Sequence, residues 1–90
     1  MQEELKNKRK SLSEAFSKTL KSYREKTGKS ITLLSDEINL SKTIWADAEN
    51  GAVDVQFSTF WRIMESLDIP PEDFIKRLKS NLPENFYFSD

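Results

Sequence analysis

Apolar residues recur three and four positions apart through most of this chain, the spacing that lines one face of a helix. Phe16, Leu20 and Tyr23 form one such stripe, and Gly28 is a good stop for it. Upstream, Ser11-Leu12-Ser13-Glu14 fits a capping box, which predicts a helix beginning near Ser11. Leu34 and Ile38 then sit four apart, and Trp45 and Ala48 three apart, with Asn39 and Leu40 between the two pairs. Ser30 and Ser41 stand where helix N-caps are needed, each with a hydroxyl able to accept from a first-turn N–H. Asn tolerates the left-handed conformation that ends a helix abruptly, and Leu40 can plug the corner that follows. The stretch 29–51 thus predicts two short helices meeting across a tight turn, the helix-turn-helix pattern.

Two further helices are predicted beyond the loop at 52–55. One carries Phe57, Phe60, Ile63, Met64 and Leu67 on an apolar face. It ends at Asp68-Ile69, because Pro70 disfavours helix in the residue before it. In the other, Pro71 suits a first turn, Glu72 and Asp73 favour the positive end of the helix dipole, and Phe74, Ile75 and Leu78 continue the apolar face. Residues 84–90, with the triplet Phe86-Tyr87-Phe88, have no helical period. The count is five helices and no convincing strand, an all-α chain. It divides into a basic N-terminal arm (1–10), a helical domain (11–80, with the helix-turn-helix at 30–50) and an aromatic C-terminal tail (81–90).

Composition narrows the chemistry. Ninety residues suit one domain with a modest core. With no cysteine and no histidine, disulfides, the usual metal ligands and the commonest general base are missing. Asp36-Glu37 and Glu72-Asp73 are adjacent carboxylates, but neighbours on a helix point roughly 100° apart and cannot face each other as an acid/base pair. Gly28 and Gly51 are the only glycines, too few for a phosphate-cradling loop. Catalysis is therefore not expected, nor any cofactor or metal. No apolar run approaches the ~20 residues of a membrane span, and the polar start Met1-Gln2-Glu3-Glu4-Leu5 does not read as a secretory signal. A cytoplasmic protein without a membrane partner is the expectation.

Residues 16 to 75 resemble the Cro/repressor-type (XRE-like) helix-turn-helix proteins. Leu20-Lys21-Ser22-Tyr23-Arg24 followed by Gly28 looks like that family's first helix and its stop, and Ala48-Glu49-Asn50-Gly51 like the end of its recognition helix. Phe57, Phe60, Ile63, Leu67, Ile69 and Phe74 fall where the family places later core residues. The resemblance implies a five-helix fold, binding of double-stranded DNA and action as a homodimer. It also implies an ion pair between Arg24 and Glu49. Lys42, Thr43 and Asp47 would face base edges or phosphates, with Ile44 and Ala46 alongside and Asn50 on a phosphate. Many members start helix 2 with a Gln that clamps a phosphate; Ile31 stands there in this chain. At Trp45 the family usually has an aliphatic core residue, so core packing is the expected role of that indole.

Charge complicates this expectation. Residues 1–30 hold nine basic and four acidic side chains, a net of +5, whereas residues 31–75 hold only Lys42 and Arg62 against nine acids, a net of −7. DNA affinity depends heavily on neutralised phosphates. Compensation would come from the arm, where Lys8, Arg9 and Lys10 either wrap the duplex or form a solvated lead-in. Trp61, on the flank of the fourth helix, is a candidate dimer contact. Phe86, Tyr87 and Phe88 fold back over the first and last helices, join the same contact or, as a lesser third alternative, stay disordered. Two functions follow: a DNA-binding transcriptional regulator, most simply a repressor, or a protein-interaction module, such as an antitoxin, that uses the acidic face and aromatic tail against a protein.

Overall fold

Nothing in residues 2–10 stops a helix: Gln, Glu, Leu, Lys and Arg are good helix formers, and neither Gly nor Pro occurs before Gly28. The computed structural model, which describes residues 2–51 and 54–87, accordingly has a first helix α1 spanning Gln2–Thr27. The arm is its first part, and Ser11 lies in mid-helix rather than at a cap. Glu3 and Glu4 in the first turn and Arg24 and Lys26 in the last complement the helix dipole. Gly28, at φ 71°, ends it.

Four shorter helices follow: α2 (Ile31–Glu37), α3 (Lys42–Glu49), α4 (Phe57–Leu67) and α5 (Pro71–Ser80). No strand occurs among the described residues, so the all-α class holds. Ser30 caps α2 as its sequence predicts, its hydroxyl accepting from the Leu33 N–H at 3.1 Å. Ser41 occupies the N-cap position of α3, but its hydroxyl makes no capping bond; its carbonyl accepts from the Ile44 and Trp45 N–H groups instead. α4 stops through Asp68 at φ 55°. The left-handed residue thus ends the helix ahead of any effect of Pro70.

One core joins all five helices. Trp45, Phe74, Leu20, Leu34, Ile63 and Met64 are its largest fully buried side chains. Phe16 of α1 meets Phe74 of α5 at 5.2 Å and Phe60 of α4 at 6.1 Å between ring centroids, and Phe60 meets Phe74 edge-on at 5.4 Å. α1 packs on α3, α4 and α5, while α2 packs on α3 and α4. At ~1.5 Å per residue α1 is about 39 Å long, close to the molecule's longest extent of 41 Å. Its first turns therefore extend along the long axis, and Leu5 is half exposed there.

Two residues predicted for apolar faces lie largely outside. Phe57 is 74% exposed, because it opens α4 one turn before the buried run begins, and Ile75 of α5 is 45% exposed. After α5 the chain turns back toward α1: the Asn81 amide donates to the Thr19 hydroxyl at 2.9 Å, and Leu82 packs on the core. Phe86 is half-buried and Tyr87 exposed; Phe88 lies outside the described residues. Among the described residues no helix is long and apolar enough to cross a membrane.

Candidate functional site

The sequence Leu34-Ser35-Asp36-Glu37-Ile38-Asn39-Leu40 folds into the corner that aims α3. Asn39 takes φ 54°, and the Leu40 N–H reaches back to the Ser35 carbonyl at 2.8 Å, which turns the chain and buries Leu40. Ser35, itself buried, donates to the Ile31 carbonyl at 2.7 Å. From α4, Arg62 donates to the carbonyls of Ile38 and Asn39 at 2.5 and 3.1 Å, meeting acceptors that a helix end leaves without partners. Ser66 adds a bond to the Leu34 carbonyl at 3.3 Å. The corner is thus fastened to α4 by polar contacts as well as by packing.

A second set of contacts fixes the other end of α3. Arg24 grips Glu49 with two bonds, Nε to Oε2 at 2.6 Å and Nη2 to Oε1 at 3.1 Å. The Trp45 indole N–H, one turn back, donates to the same Oε2 at 2.7 Å. The side chains of Arg24 and Glu49 are only 18% and 5% exposed. Ser17 donates to the Glu49 carbonyl, satisfying part of the α3 C-terminus from α1. Gly51, at φ 66°, follows beside the Ser13 carbonyl of α1, in the left-handed conformation that favours glycine. The Arg24 guanidinium pKa is raised, chiefly by its hydrogen bond to Glu49; desolvation opposes this, and the charges of Glu49 and Glu25 add to it. A raised cation pKa means that this residue's contribution to stability is intact below its unfolded value and fades only in strong alkali.

What this frame leaves facing outward is one arc of α3. At roughly 100° per residue, Lys42, Thr43, Ala46, Asp47 and Asn50 fall within about 140° of one another, opposite the buried Trp45 and Ala48. Lys42, Thr43 and Asn50 are exposed, and Ala46 and Asp47 half-buried. Ile44 lies on the flank, 44% exposed. Ile31 packs against the core, so its side chain offers apolar contact at most. The arc carries one cation and one anion. Nearby cations are engaged elsewhere: Arg24 with Glu49, Arg62 with the corner, and Lys29 with Glu37 at 3.0 Å.

The arm residues lie on the first turns of α1. Lys8 is half-buried and engaged in a contact of its own. Arg9 lies 3.9 Å from Asp54, and Lys10 4.0 Å from Glu14, all of them exposed. Trp61 is half exposed beside Phe57, with ring centroids 6.0 Å apart.

The Arg24–Glu49 pair was expected from the resemblance; its Trp45 partner was not, although the four-residue step from Trp45 to Glu49 is the available signal. The Arg62 clamp and the Ser17 bond link residues 24 and 32 positions apart, and no local spacing announces them. Among the described residues no cluster of metal-ligating side chains occurs. No family model, curated protein or solved structure matches the chain.

Proposed function

We propose that this chain is a sequence-specific DNA-binding transcriptional regulator of the Cro/repressor-type helix-turn-helix class, acting as a dimer with α3 in the major groove. The observation that carries this reading is the outward arc of α3, held at its start by the Asn39-Leu40 corner and at its end by Arg24, Glu49 and Trp45. An element that reads base edges needs its backbone placed rigidly, and both ends of α3 are tied to other helices. In the groove, Lys42 donates to a guanine or a phosphate, Thr43 offers a hydroxyl and a methyl for thymine, and Asp47 accepts from a cytosine amino group. Asn50 bonds a phosphate beside them. Two copies would set their α3 helices about 34 Å apart, one turn of the duplex. Repression would follow from occupying a promoter, without a cofactor and without catalysis.

Selection from a random duplex pool tests this. The expected product is an inverted repeat with half-site centres about 10 base pairs apart. A folded chain that enriches no sequence contradicts it.

One observation favours a second reading, a protein-interaction module. Asp36, Glu37 and Asp47 lie on or beside the helix pair, and Arg24, Lys29 and Arg62 are engaged within the chain. A surface so poor in cations would repel a duplex and suit a basic protein face.

A further inference from the structure

Between the middle turns of α1 and the α4–α5 side of the molecule runs a groove of about 410 Å³, lined chiefly by Leu12, Phe16, Val55, Phe57, Phe60 and Ile75. Its apolar lining continues outward rather than ending at the rim. Phe57 is 74% exposed and meets Trp61, itself 48% exposed. Ile75 is 45% exposed on the α5 wall. Leu5, 49% exposed, stands seven residues before Leu12 and so on the same stripe of α1. Together these four leave on the order of 400 Å² of apolar side chain in water, taking ~150–250 Å² for a whole aromatic. That is the range of the largest apolar patch on a typical monomer, which is often a functional one.

We propose that the occupant of this groove is a second copy of the same chain, packed across a two-fold axis with the α1 arm and the Phe57–Trp61 edge at its centre. Two observations select that occupant. The first is charge: the rim carries one cation and one anion, Arg9 and Asp54, loosely opposed at 3.9 Å with side chains 66% and 71% exposed. A two-fold interface must be complementary to itself, and this rim is, since each Arg9 can meet the other copy's Asp54. The second is area. A standard interface takes about 800 Å² from each partner, and the exposed apolar side chains already supply about half, leaving the usual share for a polar border. This inference rests on the dimer of the regulator reading and names its surface; the test below uses no DNA, so the two can fail separately.

Sedimentation velocity over a micromolar concentration series is the test. The intact chain is expected to dimerise, and Phe57→Asp, at a position too exposed to disturb the core, to weaken association at least about tenfold with helical circular dichroism unchanged. Arg9→Asp and Asp54→Arg are each expected to associate more weakly alone, since each sets like charges opposite one another, and to recover as a heterodimer when mixed. Recovery on mixing requires the pair to form between copies, because a pair within one chain gains nothing from a partner. A chain that stays monomeric throughout, a Phe57→Asp variant that dimerises as before, or single variants that fail to recover on mixing would each overturn the proposal.

Discussion

Glu49 accepts hydrogen bonds from both Arg24 and Trp45 while its own carbonyl takes one from Ser17. A carboxylate so enclosed is costly to bury and costlier to leave half-paired. Desolvation offsets much of a buried pair's attraction, yet removing one partner typically costs ~3–5 kcal/mol. Glu49→Ala should therefore destabilise the fold by roughly 3 kcal/mol, at the lower end because Arg24 still touches water. Arg24→Met and Glu49→Ala together should cost less than the sum of the separate losses. Urea denaturation of the three variants measures both. At this scale the sequence was informative wherever the deciding partner lay within a turn or carried an unusual backbone demand. Asn39 and Gly28 both take the positive φ that ends a helix, and Ser30 caps as its type suggests. Ser41 is equally suited by type, yet its hydroxyl forms no cap.

Elements show a different limit. The corner between α2 and α3 follows from Asn39 and Leu40, but its attachment depends on Arg62, 24 residues further along. Arg62→Met should lower stability by about 1 kcal/mol, the worth of a typical hydrogen bond at an exposed site, measurable in the same denaturation series. Its effect on the corner should be visible as amide exchange that quickens at Ile38 to Leu40 more than within α2, a local opening rather than a global one. The start of α1 was misread for a related reason. A capping box at Ser11 is a local preference, whereas the nine residues ahead of it, nearly all good helix formers, continue the helix to Gln2. Likewise Phe57 and Ile75 obey the apolar period but lie beyond the edge of the core. Periodicity reports which residues share a face; where that face stops being covered is set by the neighbouring helices.

For the whole molecule, the division of charge matters most. Residues 31–75, which include α3, carry a net of −7, and residues 1–30, mostly on α1, a net of +5. The five-helix, all-α arrangement was legible because each helix carries its own stripe and its own stop. The arc's residues were legible only through resemblance, since Lys42, Thr43 and Asn50 are exposed residues with no periodic signature of their own. Their value depends on how few cations reach a duplex. A DNA complex of this chain should accordingly be sensitive to each one: log affinity falls with log salt at about −0.9 per neutralised phosphate, and the loss of one phosphate-contacting Lys lowers that slope by about 1 for each copy bound. The most direct measurement is fluorescence anisotropy of the intact chain and of Lys42→Ala on a mixed-sequence duplex across a salt series. Affinity that declines with salt, and a slope shallower by about 2 per dimer in the variant, is the expected result. A folded chain with no affinity at the lowest salt, or a Lys42→Ala variant that binds with the same strength and the same slope, would contradict a DNA-reading role for α3.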